Sequence, residues 1–206
     1  MLNTIKSYAK INLFLNVVDK LDTGFHELNS VLSRIDLYDE IRIKDESSFS
    51  ISYSGPFGDQ VGSNDHISKL FNYLIDKNYL KQKSFAIHVV KNIPVGSGLG
   101  GGSSNVAEII KYLIRSNLLD NSSSTEIARD LGSDIEFFID EGSALISGKG
   151  NVDQRLKINS DKHFLIVFPN VQNSTMEIFN KHSNLSGEKF SYNKYTNLDE
   201  ILKDTS

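Results

Sequence analysis

Glycine is concentrated at one place in the chain, Lys91 to Val106, which reads KNIPVGSGLGGGSSNV. Gly96, Gly98, Gly100, Gly101 and Gly102 carry no side chains, so backbone N–H groups there can close around an anion. Ser103 and Ser104 add hydroxyls. Behind them Val106, Ile109, Ile110, Leu113 and Ile114 recur at helical spacing. The first turn of such a helix has N–H groups without intrahelical partners and a partial positive charge. The combination predicts a phosphate cradle. The Walker loop requires a terminal Gly-Lys-Ser/Thr, and here the Ser pair follows Gly102 with no Lys inside the loop. The dinucleotide fingerprint requires an early strand and an acidic residue about 20 residues further on. Asp120 lies near that distance, but the tract sits mid-chain after several strands. A flexible surface loop is the alternative, and the amphipathic helix behind the tract argues against it.

Three other side chains have types suited to phosphoryl transfer. Lys10 lies in KINLFLNVV, where Ile11, Leu13, Leu15 and Val17 alternate with Lys10, Asn12, Phe14 and Asn16. That pattern is a strand with one apolar face, which puts Lys10 and Asn12 together on the other. Lys10 is either a charge stabiliser for a transferring phosphoryl group or a solvated lysine at a strand end. Asp134, in LGSDIEFFID, either accepts a substrate hydroxyl proton or caps the next helical turn. His26 follows Phe25 in a polar turn around Gly24. It either reads a flat heterocycle by hydrogen bonding beside a stacking ring or is simply exposed. The five histidines show no close metal-ligand spacing, and no Gly-x-Ser-x-Gly elbow is present.

The elements that must position these groups are legible in outline. A second strand region runs from about Leu28 to Lys44, with a bend expected near Asp36 to Asp39. Phe49, Ile51 and Tyr53 alternate with serines, and Ser84 to Lys91 reads as another strand. Ile67, Leu70, Phe71, Leu74 and Ile75 predict an amphipathic helix. Ser123 with Glu126 reads as a capping box for a short helix ending near Gly132. Further strands are expected over Ala144 to Ser147 and Phe164 to Phe168, then a helix capped by Ser174 or Thr175. Strands and helices mix without strict alternation, which predicts an α+β fold.

Composition narrows the function classes. The 206 residues carry 22 Lys plus Arg against 26 Asp plus Glu, a formal charge of −4. No basic excess exists to drive binding to nucleic acid or an anionic membrane. Cysteine is absent, which removes disulfides, thiolate metal sites and cysteine nucleophiles. No signal-peptide core is visible, and the longest late apolar run is far short of a membrane span, so a cytoplasmic location is expected.

PVGSGLGGGSS resembles the phosphate-loop motif of the GHMP kinase superfamily. Within it, AKINLFLNV at 9–17, TGFHELNSVLSRIDLYDEI at 23–41 and LGSDIEFFI at 131–139 resemble the 4-diphosphocytidyl-2-C-methyl-D-erythritol kinase family. The resemblance covers most of residues 6–180. It implies an α+β GHMP kinase N-terminal domain (ribosomal protein S5 domain 2-like) over 1–155, with the start of a second α+β domain over 156–206. It implies ATP-dependent phosphorylation of the 2-hydroxyl of a CDP-linked methylerythritol, on the route to isoprenoid precursors, with Mg²⁺ expected beside ATP. By resemblance the catalytic pair is Lys10 and Asp134. The ATP loop comprises Pro94, Val95, Gly96, Ser97, Gly98, Leu99, Gly100, Gly101, Gly102, Ser103 and Ser104. The substrate site comprises Asn12, Phe25, His26, Thr175 and Phe179, with Phe25 standing where the family usually has Tyr. Glu136 replaces a usual Pro and Leu32 a common aromatic. Residues 183–206 carry no T-G-S-G-type third glycine motif, so a shortened chain with weak or no activity is expected. A nucleotide-binding fragment without turnover, and a GHMP kinase for another small alcohol, are the competing readings.

Overall fold

The computed structural model describes residues 3–20, 26–63, 65–81, 85–148, 150–157, 163–169 and 203. Its elements, in chain order, are β1 (Asn3–Lys20), β2 (His26–Asp45), β3 (Ser50–Ser54), α1 (His66–Asp76), β4 (Phe85–Val90), α2 (Gly101–Arg115), α3 (Ser124–Leu131), α4 (Ser133–Ile139), β5 (Ser143–Gly148) and β6 (Asn151–Leu156). This is the expected α+β mixture. Contacts divide the chain into one unit of residues 1–9 and 35–139 and another of residues 10–34 and 140–206. Strands β1 and β2 each contribute residues to both units, and they pair with each other.

In the first unit, the C-terminal half of β2 pairs antiparallel with β4, matching Ile41 to Val89 and Ile43 to Ile87. β3 lies parallel to β4, with Ile51 opposite Ile87 and Tyr53 opposite Val89. A parallel neighbour requires a crossover, and α1 stands in the connection from β3 to β4. Alternate β4 residues Phe85, Ile87 and Val89 are buried. The Phe71 ring of α1 meets them, 5.6 Å from Phe85 and 4.8 Å from Phe49. Leu70 and Leu74 of α1, Ile109, Ile110 and Leu113 of α2, and Phe137 and Phe138 of α4 are fully buried and complete this core. The helical spacings of α1 and α2 in the sequence therefore mark the faces that are packed.

In the second unit, the N-terminal half of β2 pairs antiparallel with β5, Ser30 opposite Ile146 and Leu32 opposite Ala144. β5 and β6 form a hairpin with a register shift between Leu145 and Ile146. Leu13, Val31 and Leu156 are buried together, with Ile11, Phe14 and Leu145 packed on them. Leu15, assigned by alternation to the apolar face, is 45% exposed, while Phe14 packs inward.

β2 is one strand through Asp36 to Asp39, paired with β5 before that stretch and with β4 after it. Two local expectations change. The capping box at Ser123 does not form: Ser123 has helical dihedrals and makes no side-chain cap bond, because Asp120 and Asn121 open a short 3₁₀ turn ahead of α3. Residues Phe164 to Phe168 carry no strand pairing among the described residues, and Leu165 and Val167 are exposed. The helix expected from Ser174 or Thr175 lies outside the described residues. No helix among those described is long and apolar enough to cross a membrane.

The start of α1 shows how one carboxylate fixes local geometry. Asp65 Oδ1 accepts the N–H groups of Ile67 and Ser68 at 2.9 Å and the Tyr53 hydroxyl at 2.7 Å. Its Oδ2 accepts the Ser68 hydroxyl at 2.7 Å. Burial by itself raises the Asp65 pKa, but these donors together outweigh it and hold the carboxyl below its ordinary value. Asp65→Ala should lose about 2 kcal/mol of unfolding free energy, from the cap and the orphaned Tyr53 hydroxyl. Because the folded-state pKa is depressed, Asp65's electrostatic contribution is complete above about pH 4 and fades as pH falls through its folded value. Urea unfolding of both chains from pH 6 to pH 2 checks this: the gap between them should narrow towards acid.

Candidate functional site

The glycine tract forms one wall of a cavity of about 320 Å³ in the first unit. Pro94, Val95, Gly96, Ser97, Gly98, Gly100, Gly101, Gly102 and Ser103 line it, joined by Tyr53, Asp65, His66, Lys91, Asn105 and Asp134. Gly96, Gly98 and Gly100 have φ of 72°, 77° and 73°, in the left-handed region that other L residues adopt only under strain. Gly100 is the N-cap of α2, and no side chain caps that helix end. The first intrahelical bond runs from Ser104 N–H to Gly100 O at 2.8 Å. The amides of Gly101, Gly102 and Ser103 precede it, and all three residues line the cavity. Backbone donors at the positive end of a 15-residue helix suit an anion. The cradle expected from the sequence is therefore open, with a helix start behind it.

Two of the expected loop residues serve elsewhere. The Ser97 hydroxyl donates to Pro94 O at 2.7 Å and braces the loop on itself. Ser104 is buried and its hydroxyl accepts from Ser7 at 2.8 Å. Neither Ser104 nor Leu99 lines the cavity.

The loop rests on a buried polar network that the sequence reading did not identify. Asp39 of β2 is completely buried and forms an ion pair with the buried Lys91 at the end of β4. Asp39 Oδ1 also accepts the Asn92 and Ile93 N–H groups at 2.8 and 2.9 Å, and its Oδ2 accepts Asn105 Nδ2 at 3.0 Å. Lys91 Nζ donates to Asn105 Oδ1 at 3.0 Å, and Asn105 Nδ2 donates to Ser7 Oγ at 2.9 Å. Burial lowers the Lys91 pKa below its ordinary value, against the opposing pull of Asp39. One carboxylate thus joins the strand before the loop, the start of the loop and the helix after it. The only sequence signal was negative: Asp39 and Lys91 are charged residues inside stretches patterned as buried strand.

Asp134 lines the same cavity, half-buried, as the second residue of α4. Gly132 precedes the helix, so Asp134 is not its N-cap. α4 is held from two sides. Arg129 of α3 donates to Glu136 from Nε at 3.0 Å and from Nη2 at 2.7 Å. Lys111 of α2 donates to Phe138 O at 3.2 Å. In the second unit Lys10 is buried, and its Nζ donates to Asn12 Oδ1 at 2.9 Å. Asn12 Nδ2 donates to Ser30 Oγ at 2.9 Å, and Ser30 donates to Phe14 O. Lys10 and Asn12 share a face as their alternation required, and Asn12 orients the ammonium. His26 begins β2, but its side chain, like Phe25, Thr175 and Phe179, lies outside the described residues.

The GHMP kinases N terminal domain model matches residues 65–145, the span holding α1, the glycine loop, α2 and Asp134. The 4-diphosphocytidyl-2-C-methyl-D-erythritol kinase of Pelagibacter ubique (strain HTCC1062) is 35% identical over 90% of this chain and 67% of its own length. The chain belongs to the GHMP kinase family. A kinase of the same name from Prochlorococcus marinus (strain MIT 9301) is 38% identical over 87% of this GHMP kinase chain and 59% of its own. The crystal structure of a 4-(cytidine 5'-diphospho)-2C-methyl-D-erythritol kinase superposes with a TM-score of 0.63 at 29% identity, over 76% of this chain and 56% of that one. Methanococcus jannaschii mevalonate kinase shares the fold at 16% identity and a TM-score of 0.54 over 76% of this chain and 56% of that one. The chain spans between 59% and 67% of the length of the curated relatives it matches.

Asp39→Ala leaves the Lys91 ammonium buried without its counter-charge and should cost ~3–5 kcal/mol. Adding Lys91→Met should recover part of that loss, which equilibrium urea unfolding of the single and double variants measures. Gly98→Ala meets no atom within 4 Å of the new Cβ. Its cost is therefore backbone strain alone, ~1–2 kcal/mol, and the same measurement reads it.

Proposed function

We propose that this GHMP kinase chain binds ATP in the glycine-lined cavity and transfers its γ-phosphoryl group to the 2-hydroxyl of 4-diphosphocytidyl-2-C-methyl-D-erythritol. The observation that carries the reading is the placement of Asp134 on the wall of a cavity built from the glycine loop and the amide end of α2. The substrate class follows from the printed names of the relatives and from the four matched sequence segments.

In this reading the amides of Gly101, Gly102 and Ser103 hold the phosphate tail by backbone hydrogen bonds and the helix field. Asp134 accepts the proton of the substrate hydroxyl as the new oxygen–phosphorus bond forms and the bond from the γ-phosphorus to its bridging oxygen breaks, releasing ADP. Lys10, steered by Asn12, offsets charge on the transferred group. Phe25 and His26 read the cytidine ring, with Thr175 and Phe179 beside it. Among the described residues no group of three His, Cys, Asp or Glu is arranged to hold a metal. Asp65 and Asp134 are the carboxylates on the cavity wall, and a magnesium ion there would be held mainly by phosphate oxygens and water. Bound, the ion neutralises phosphate charge.

A second reading, nucleotide binding without turnover, draws on the chain's coverage of 59–67% of its relatives' length. One experiment separates the two. ADP release is followed with purified chain, ATP, Mg²⁺ and the CDP-linked alcohol, and ATP binding is measured alongside. Turnover that falls by ~10²–10⁴ in Asp134→Asn, with ATP affinity within about threefold, supports the kinase. ATP binding with no ADP release identifies the nucleotide-binding piece. Turnover unchanged by Asp134→Asn overturns the assignment of the base.

A further inference from the structure

His66 is the first residue of α1, directly after the Asp65 cap, and its side chain is solvent-accessible on the wall of the glycine-lined cavity. The imidazole lies against the first turn of α2. A Cβ placed on Gly102 would sit 2.4 Å from His66 Nδ1 and 2.9 Å from Cε1. Only glycine admits the ring at this distance. The ring edge that bears Nδ1 is therefore packed on one of the three residues whose amides precede the first α2 hydrogen bond.

We propose that His66 is a phosphate-binding residue of the nucleotide site, whose imidazole takes up a proton from solvent as the anionic tail of ATP settles on α2 and then donates a hydrogen bond to a phosphate oxygen. The inference rests on the reading of the cavity as an ATP site and adds a charged side chain to a cradle otherwise made of amides. The groups facing His66 account for a change of charge on binding. Its pKa lies below the ordinary histidine value because of partial burial, with Lys69 of α1 and Lys91, just after β4, adding positive charge and Asp65 opposing. Asp65 spends its oxygens on Ile67, Ser68 and Tyr53, and Asp134 of α4 and Tyr53 of β3 share the cavity wall. The free ring is thus neutral near pH 7. A polyphosphate brings several negative charges to its neighbour Gly102 and shifts the balance toward the imidazolium, so binding and protonation are linked.

Calorimetric titration of the whole chain with Mg-ATP in two buffers of different ionisation enthalpy reads proton uptake directly. The expected result is net uptake by the native chain at pH 7 that falls clearly in His66→Gln. The affinity of the native chain should also rise by about tenfold more than that of His66→Gln between pH 8 and pH 5.5, the equivalent of a one-unit shift in the bound imidazole. Comparing the two chains with the same nucleotide cancels protonation of ATP itself, and adenosine, which has no phosphate, should show no difference between them. Equal proton uptake and equal pH dependence in both chains, with ATP still bound, overturn the role of His66 and leave the cavity reading standing. An equal His66 effect with adenosine relocates the contact to the nucleoside and also overturns it. Failure of the native chain to bind ATP at all overturns the cavity reading, and this inference with it.

Discussion

The buried carboxylate of Asp39 is the constraint on which the glycine-lined cavity depends. It receives two backbone amides, an ammonium and a side-chain amide, so its lone pairs are matched by donors from Lys91, Asn92, Ile93 and Asn105. A lone charge at that depth would be costly, and one satisfied on every side is rigid, because moving any partner uncovers the charge. The partners come from the end of β4, the entry to the loop and the first turns of α2. The glycine segment is thus the bare-backbone part of a frame closed at both ends. That arrangement separates two demands that conflict in a single segment. The loop needs bare backbone with left-handed dihedrals, which makes it entropically expensive to order. The frame supplies the order from outside the loop.

Within the loop, the glycines divide into two kinds. Gly96, Gly98 and Gly100 are required by dihedral angle. Gly101 and Gly102 are helical and face close neighbours: a Cβ on Gly101 would lie 2.9 Å from the buried Ile93 side chain, and one on Gly102 would displace the His66 ring from where it sits. The first kind turns the chain so that amides face the cavity. The second lets β4's extension and α1 close onto the start of α2. A tract of consecutive glycines looks uniform in the sequence, yet the structure uses it for two separate purposes.

What the sequence disclosed and what it hid follow from distance along the chain. α1 and α2 were legible because periodicity records burial within a single element, and the turning of the glycine loop was legible because dihedral freedom is a property of the residue itself. Lys10 and Asn12 were paired correctly because a strand repeats every two residues. The Asp39–Lys91–Asn105 network joins positions 52 and 66 residues apart, and no local pattern encodes such a pairing. The capping box at Ser123 matched its template, but Ser123 ends a 3₁₀ turn and so has helical rather than extended dihedrals. Asp120, at the distance a dinucleotide fold would need, instead caps that turn by accepting the Ser122 N–H at 3.1 Å. β6 and the seven-residue α4 were too short or too polar to show a period at all. The strand expected at Phe164 to Phe168 rested on apolar composition alone, and composition specifies burial without saying what pairs with it.

The position of Glu136 shows how this chain solves a local problem by different means from its family. Where the resemblance expects proline, a residue that stiffens the backbone through its ring, this chain has a flexible carboxylate two residues after Asp134. Backbone stiffness is replaced by a two-point ion pair to Arg129, whose planar fork fixes direction as well as distance. Glu136 is largely buried whereas Arg129 is mostly exposed, so the pair contributes little to global stability by Coulomb attraction alone. Its effect is on orientation: with Phe137 and Phe138 buried and Lys111 holding the far carbonyl, α4 has no remaining freedom to roll. The helix that carries Asp134 is then held by two side chains, Arg129 and Lys111, on two neighbouring helices rather than by its own backbone. Directional bonds from two flanking helices thus do for this short helix what a proline ring does for a backbone, by fixing its orientation from outside.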